Sequence, residues 1–495
     1  MTLRDLLRVV APLEASGDPL VEISGIRGDS RRVRQGDIFI AMRGEGADGH
    51  EFIADAVAAG AAAVVYEKRG AVPQGVPAVR VADGRRALAR LADAFHGNPS
   101  SRLTMVGITG TNGKTTTSLL VASILEAADR PTGIIGTLAI RFGGREIPAA
   151  NTTPPADDLH EALARMEQAG MKAVAMEVSS HALHQGRVEG VAWDAAVFTN
   201  FTQDHLDYHR TMDAYFTAKK RLFEKLGAGG KKGLAILNAD DPRGEEMRRA
   251  VRAGVPALFY GESADAQVRA SCVETGLDGS RFTLRAPQGE TEIRTRLFGA
   301  HNTANCLAAA ATGLALGADL PAVARGIAAV TSVPGRLERV GERPAVFVDY
   351  AHTEDALRRA LATLRPFARG QLLLVFGCGG GRDRAKRRLM GRAAAELADF
   401  SFVTSDNPRF EEPAEIADEI LQGFGKQEGR REKILDRRAA ICAALARAGP
   451  EDVVLVAGKG HETYQEARGV RNPFDDRAVV RELIAAAKGG GNGHG

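Results

Sequence analysis

A chain of 495 residues, 44% hydrophobic and 26% charged, has the length of about three domains and the composition of a soluble globular protein. Lysine plus arginine (65) so nearly balances aspartate plus glutamate (62) that the net +3 leaves no footprint for nucleic acid or an anionic membrane, and 5% aromatics are too few for a base-stacking surface. Cys272, Cys306, Cys378 and Cys442 are far apart without metal-ligand spacing, which points to a reduced cytoplasmic protein; no apolar run reaches membrane-spanning length, and the charged, amphipathic residues 1–10 are no signal peptide.

Residues 1–99 predict a small α/β unit, with strands at 36–42, 62–66 and 76–81 and helices at 51–59 and 84–96. Its polar loops at 29–31 and 43–50 suit either surface turns or a ligand. His96-Gly-Asn-Pro-Ser-Ser101 has linker chemistry and sets the first boundary.

The apolar run 103–108 reads as a buried strand that breaks into Gly110-Thr-Asn-Gly113, then Lys114-Thr-Thr-Thr117 and a helical stretch to Ala127. Strand, glycine loop, Lys-Thr and helix start turn backbone N–H groups onto a polyphosphate. Gly110 and Gly113 permit the curl, Lys114 reaches the β/γ-phosphates, and the Thr115 hydroxyl meets Mg²⁺. A strict Walker loop would carry glycine at 108, which is Ile108 here. Strands at 133–135, 172–178, 194–199 and 233–237, with helices at 157–169 and 213–226, complete a central domain, 100–335, built on a mainly parallel sheet. Residues 255–298 read as a β-rich insertion with strands at 268–273, 281–286 and 292–297.

From about Pro334 the pattern restarts. Strands at 345–350, 371–376, 400–404 and 452–457 end in Asp349-Tyr-Ala-His352, Gly377-Cys-Gly-Gly-Gly-Arg382, Ser405-Asp-Asn-Pro-Arg409 and Gly458-Lys-Gly-His-Glu462. Four such endings on one sheet edge predict a binding crevice in a Rossmann-like domain, 336–488. The glycine-rich residues 489–495 are expected to be a disordered tail.

A triphosphate site needs carboxylates for magnesium. Glu177 closes a buried strand, so it has either a metal-linked role or a salt bridge. His205 and His209 are one helical turn apart and could chelate zinc, but no third strong ligand is evident; participation of His205 in the magnesium site is the better reading, and Asp204 could instead cap a helix. By its sequence context alone, Lys219 is a solvated helix-face lysine.

Six motifs occur in one order: Gly107-Ile-Thr-Gly-Thr-Asn-Gly-Lys-Thr-Thr116, Asn151-Thr-Thr-Pro154, Met176-Glu-Val-Ser-Ser-His181, Asp204-His-Leu-Asp-Tyr-His209, Asp406-Asn-Pro-Arg409 and Gly458-Lys-Gly-His-Glu462. Together the chain resembles the Mur ligases over essentially its whole length. The resemblance implies a three-domain α/β protein: a UDP-binding domain, a P-loop ATPase domain and an amino-acid-binding domain. It implies ATP-driven amide synthesis, with the D-Glu side-chain carboxylate of UDP-MurNAc-L-Ala-D-Glu phosphorylated by ATP and the acyl phosphate then taken by an amino acid. Lys114, Glu177, His205 and Lys219 would be catalytic. Magnesium would be held through Thr115, Glu177, His205 and a carbamylated Lys219. ATP would meet Gly110, Thr111, Asn112, Gly113, Lys114, Thr115 and Thr116, with Asn302 and Asn305 on the adenine side and Arg336 and Asp349 also on the nucleotide. Asp29, Ser30 and the loop Glu45-Gly-Ala47 would contact UDP; Asn151, Thr152, Thr153, Ser179, Gln185 and Arg187 would hold the muramoyl dipeptide. Arg382, Asp406, Asn407, Pro408, Arg409, Gly458 and Glu462 match the amino-acid pocket.

Arg409 implies meso-diaminopimelate over L-lysine, because a guanidinium grips the distal carboxylate in a bidentate pair; Glu462 would complement the distal ammonium. Gly381 and Arg388 depart from the family's acidic residue and proline beside this pocket. The implied enzyme is a cytoplasmic monomer that binds no nucleic acid and inserts in no membrane. Competing readings are a lysine-adding relative, a folylpolyglutamate synthase-like ligase, a non-catalytic nucleotide-gated binding protein, and a motor or signalling ATPase whose coupling motifs are not found.

Overall fold

The computed structural model describes residues 1–44, 46–68, 75–425 and 428–490. Two compact units emerge: Met1–Val273 with Phe282–Ile293 and Ala304–Ala329, and a second formed by Glu274–Arg281, Arg294–Thr303 and the chain from Val330.

The first unit contains two sheets. In the amino-terminal one the order is Glu14–Ser16, Ala78–Arg80, Ala63–Tyr66, Asp37–Ala41, Gly25–Arg27, all parallel except the first strand. Asp37–Ala41 is buried throughout, as its apolar run demands. Helix Gly84–Phe95, capped by the Asp83 side chain accepting from Arg86 N–H at 3.0 Å, lays Ala87, Leu88, Leu91 and Ala92 on this sheet's core. The segment expected to be helical at 51–59 is a 3₁₀ turn, Gly49–Phe52, followed by helix Ile53–Ala58.

The central sheet runs parallel through Ala257–Gly261, Ala235–Asn238, Ala195–Phe198, Thr104–Thr109, Ala173–Glu177 and Thr132–Ile135. An antiparallel hairpin, Ala139–Phe142 with Arg145–Pro148, extends it at one edge, and Val268–Gly276, Gly279–Ala286 and Gly289–Thr295 extend it at the other. The expected insertion is therefore a continuation of the sheet. Strand Thr104–Thr109 sits between Ala195–Phe198 and Ala173–Glu177, so the loop after it opens among the carboxyl ends of its neighbours, where α/β sheets bind ligands.

The second unit has a sheet ordered Glu338–Glu342, Ala345–Asp349, Val453–Ala457, Leu372–Phe376, Phe400–Val403, Arg431–Lys433; the first pair is antiparallel and the rest parallel. Its four predicted strands are buried almost throughout, with apolar clusters on both faces. The last helix, Asp476–Gly490, includes the first two residues of the expected tail; 491–495 lie outside the described residues.

Candidate active site

The glycine loop is built for close approach. Gly113 has φ +85°, and a Cβ there would sit 2.4 Å from Asn305 Oδ1; a Cβ on Gly110 would run into Thr199 Oγ1. The loop is tied to the end of strand Ala195–Phe198: Thr111 N–H donates to Asn200 O (2.8 Å), Asn112 N–H to Asn200 Oδ1 (2.9 Å), and Thr199 Oγ1 to Asn112 O (2.6 Å). Thr111 and Asn112, both expected nucleotide contacts, thus have their N–H groups engaged by Asn200. Helix Lys114–Ala127 follows, and its first intrahelical bond is Thr117 N–H to Gly113 O, so Lys114, Thr115 and Thr116 supply the helix-start donors.

Lys114 folds back over the loop, its Nζ donating to Gly110 O (2.9 Å) and Thr111 O (2.8 Å). Lys219 departs from its expected solvated position. It is 1% exposed, and its Nζ donates to the same Gly110 carbonyl at 2.8 Å and lies 4.4 Å from the Tyr215 ring centroid. Burial, then repulsion from Lys114, pushes its pKa well below the ordinary lysine value.

Parallel register sets Glu177 beside Ile108, at the mouth of the loop. The carboxylate is 1% exposed and accepts from Thr115 Oγ1 (3.0 Å), Thr137 Oγ1 (3.0 Å) and Thr137 N–H (2.8 Å). Its partners are hydroxyls and an amide N–H, where the alternative reading required a salt bridge. His205, φ +53°, stands before the short helix Leu206–His209; its ring meets His181 edge-on at 4.9 Å and Tyr215 at 5.8 Å. Desolvation first, with help from His181, Lys114 and Lys219, brings its pKa down to about 4 against the opposing pull of Asp204, although 43% of the side chain is exposed. Asp204 Oδ1 accepts from His205 N–H (2.8 Å), and the helix has no side-chain cap, so the capping reading of Asp204 does not apply. The His209 ring faces Ser180 Oγ at 3.0 Å. Among the described residues no three His, Cys, Asp or Glu side chains gather as a metal-binding group.

From Glu177 a bonded strip leads away from the loop. Thr137 Oγ1 is 3.0 Å from Thr152 Oγ1, while Thr153 Oγ1 donates to Glu177 O (2.9 Å) and accepts from Ser179 N–H (3.0 Å). Arg187 donates to Thr153 O (2.9 Å) and Gln185 Oε1 (2.8 Å), and Gln185 Nε2 donates to Tyr208 Oη (3.2 Å). Gln185 and Arg187 then line a cavity of ≈ 770 Å³ together with Asp29, Ser30, Arg31 and Ala47. Asp29 is held in a two-point pair with Arg31. Asn151 is exposed and outside the cavity wall, and Glu45 lies outside the described residues.

The expected adenine-side residues are both buried: Asn305 Oδ1 accepts from Thr117 Oγ1 (3.4 Å), and Asn302 Nδ2 donates to Phe298 O (3.1 Å). In the second unit, Asp349 accepts from the N–H groups of Leu337 (2.7 Å) and Ala351 (2.8 Å); burial raises its pKa against the opposing Arg336 charge. Arg336 lies over the Tyr350 ring at 4.9 Å.

The loops after three strands of that unit form a second polar cluster. Asn407 Nδ2 donates to Glu462 Oε2 (2.8 Å), and a Cβ at Gly458 would be 2.5 Å from Asp406 Oδ2, so glycine there admits the carboxylate. Arg409 has φ +54°. Its backbone is stitched to hairpin Tyr464–Ala467/Val470–Pro473 through Arg409 N–H to Glu466 O (3.0 Å) and Arg468 N–H to Arg409 O (2.5 Å), and its Nη1 donates to Gly380 O (2.5 Å). Pro408 O would meet a Cβ on Gly380, which fixes a close approach of the two loops. Arg382 is exposed on its loop. Nothing in the sequence singles out Thr137, and Tyr208 and Lys459 stand inside two of the six motifs without a role of their own; Asn200 opens the polar cluster Asn200-Phe-Thr-Gln-Asp-His205, which by its place at a strand end is expected beside the phosphate loop, where it lies.

Three family descriptions match in chain order: the Mur ligase family catalytic domain over residues 22–96, the Mur ligase middle domain over 108–313, and the Mur ligase glutamate ligase domain over 335–460. Similar curated proteins include the UDP-N-acetylmuramoyl-L-alanyl-D-glutamate–2,6-diaminopimelate ligases of Geobacter metallireducens (45% identity, covering 99% of this chain and 100% of that one) and Geobacillus kaustophilus (46%, covering 94% and 96%). A solved structure of an enzyme of that name superposes with TM-score 0.70 at 34% identity, covering 99% of this chain and 100% of the other. A folylpolyglutamate synthase of Mycobacterium tuberculosis, at 22% identity and TM-score 0.62 over 74% of this chain and 91% of its own, shares the fold. With matches in all three blocks and relatives aligned from end to end, this chain belongs to the Mur ligase family.

Proposed function

We propose that this chain is an ATP-dependent ligase that joins meso-diaminopimelate to the D-glutamyl side-chain carboxylate of UDP-N-acetylmuramoyl-L-alanyl-D-glutamate, releasing ADP and phosphate, in peptidoglycan synthesis. The observation that carries the reading is the bonded strip within the first unit. It links the phosphate loop, through Glu177, Thr137, Thr153 and Arg187, to the cavity at Ser30 and Gln185. A carboxylate is a poor electrophile, so the acceptor oxygen attacks the γ-phosphorus and ADP leaves. The amine of the second substrate then attacks the acyl carbon and phosphate leaves. The first step brings two anions together, so it needs cations and helix-start N–H groups, which Lys114 and the loop provide.

The donor set around Glu177 suits magnesium, a hard cation that takes oxygen ligands: a buried carboxylate beside the Thr115 hydroxyl, with His205 close to the loop. Thr115, Glu177, His205 and Lys219 would hold it, and the ion would supply charge neutralisation to the phosphates. Lys219 would serve as a carbamate: its neutral amine adds to CO₂ and releases a proton, which makes an oxygen donor of the side chain.

In the amino-acid pocket, Arg409 pairs with the distal carboxylate and Glu462 with the distal ammonium, while Asp406, Asn407 and Gly458 frame the substrate and Arg382 adds positive charge. Since ATP and a UDP-activated sugar are cytoplasmic compounds, the enzyme works there, as a monomer. The test is ligation with paired amino acids: phosphate release should require both the UDP-linked acceptor and diaminopimelate. Efficient use of L-lysine, or ATP hydrolysis without either co-substrate, would overturn the reading.

A further inference from the structure

Lys459 is a buried cation that the proposed reaction does not yet use. Its side chain is 0% exposed, two residues beyond the end of strand Val453–Ala457. Nζ donates to Asn407 Oδ1 at 3.1 Å and to Glu462 Oε2 at 3.2 Å. Asn407 Nδ2 donates to that same Oε2 at 2.8 Å. Glu462 Oε2 therefore has two donors on it, and no hydrogen bond to Oε1 occurs among the described residues. Asn407 is braced independently, because its Oδ1 also accepts Glu466 N–H at 2.9 Å. Removing the lysine thus loosens the carboxylate more than the amide.

A fully buried lysine is uncommon without a task for its charge. Here its partner carboxylate keeps 19% of its side chain exposed, so one end of the pair is sealed and the other opens outward. We propose that Lys459 is a positioning residue for amino-acid selection: it locks Glu462 through Oε2 and so reserves Oε1 for the ammonium of the incoming amino acid. The inference rests on the reading above, in which Glu462 receives the distal ammonium of diaminopimelate. With the lysine replaced by an apolar isostere, the Glu462 carboxylate turns more freely and must be ordered when substrate binds.

The experiment compares kcat/KM for meso-diaminopimelate and for 2-aminopimelate, the same chain lacking one amine, in the full-length enzyme, K459M, E462Q and the double variant. Wild type should prefer diaminopimelate. K459M should shrink that preference about tenfold, the scale of one charge-assisted hydrogen bond, with KM for ATP within about twofold. In the E462Q background the same change should alter the preference less than about twofold, since the group it positions is gone. If K459M lowers both substrates equally, or its effect on the preference persists undiminished in E462Q, Lys459 is only structural and the proposal fails. Should K459M not fold, K459Q reads the same ratio. A wild-type enzyme that ligates diaminopimelate without preferring it would instead overturn the Glu462 assignment itself.

Discussion

Replacing Glu177 by glutamine separates charge from architecture. The carboxylate accepts three hydrogen bonds, from Thr115 Oγ1, Thr137 Oγ1 and Thr137 N–H. Glutamine can keep its carbonyl oxygen on Thr137 N–H and turn its NH₂ toward the two hydroxyls, which rotate to accept. All three contacts survive, so the stability cost should be about 1 kcal/mol. Glu177→Ala removes every acceptor, strands the Thr137 N–H, and should cost about 1–3 kcal/mol. The chemistry should respond in the opposite proportion: the conservative E177Q removes the negative charge proposed to help hold magnesium, and kcat should fall by at least about 100-fold, or about 2.7 kcal/mol of barrier. Phosphate release at saturating substrates gives kcat, and thermal unfolding of the same preparations gives stability. If E177Q retains kcat within about fivefold of wild type, Glu177 serves only as a hydrogen-bond acceptor and the metal-linked role is wrong.

Lys219→Met should raise the stability of the ligand-free protein by about 1 kcal/mol, because a buried amine is exchanged for an apolar chain, while abolishing ligation; thermal melts and the ligation assay read the two effects. Its pH dependence has a definite sign. The folded-state pKa of Lys219 is lowered, so between that value and 10.5 the unfolded chain carries the extra proton, and the lysine's contribution to stability rises with pH across that window. Melts of wild type and K219M should therefore converge as pH approaches 10.5. Arg409→Ala should raise KM for diaminopimelate at least about 30-fold and KM for ATP less than about threefold. Because Arg409 has φ +54°, Arg409→Gly should be more stable than Arg409→Ala by about 1 kcal/mol while equally poor with diaminopimelate. Arg437 and Asp476 form a buried two-point pair at 2.8 and 2.7 Å, and Arg437 also donates to Ala457 O at 2.9 Å. Arg437→Ala should cost about 3–5 kcal/mol in unfolding measurements, and a second change, Asp476→Ala, should recover part of it.

What could be read from sequence divides along physical lines. Strands buried on both faces, such as Thr104–Thr109, Ala173–Glu177 and Val453–Ala457, announce themselves as apolar runs, and the polar residues that end them mark the crevice. Exposed or very short pieces gave no such signal. Arg145–Pro148 and Val470–Pro473 are exposed at every position, and Glu14–Ser16 and Gly25–Arg27 are three residues long, so no periodicity could reveal them. Side-chain partners are harder still. Thr137 is 40 residues from Glu177, and nothing in its neighbourhood marks it as the group that braces the carboxylate. Lys219 lies on helix Met212–Glu224, where local pattern suggests solvent; its burial is decided by a loop 109 residues away.

That loop brings Lys219 and Lys114 onto one partner. Both Nζ atoms donate to Gly110 O, so they are no farther apart than two hydrogen bonds of 2.8 and 2.9 Å laid end to end. Two ammonium ions at that separation repel by roughly 3 kcal/mol or more at an effective dielectric near 20, so the pair favours losing one proton. Lys219 is 1% exposed and its pKa is lowered, by burial first and Lys114 second, whereas Lys114 lies over the loop with a second carbonyl, that of Thr111. The neutral amine, which both effects favour, is the form that adds CO₂, and a carbamate there would turn the repulsion from Lys114 into attraction. On the proposed reading, then, burial first and the crowding of two lysines on one carbonyl second prepare Lys219 for modification. The variant that separates the charges tests it: in Lys114→Met the apparent pKa of Lys219, followed by ¹³CO₂ uptake against pH, should move upward, and an unchanged profile would show that burial alone sets the state of Lys219.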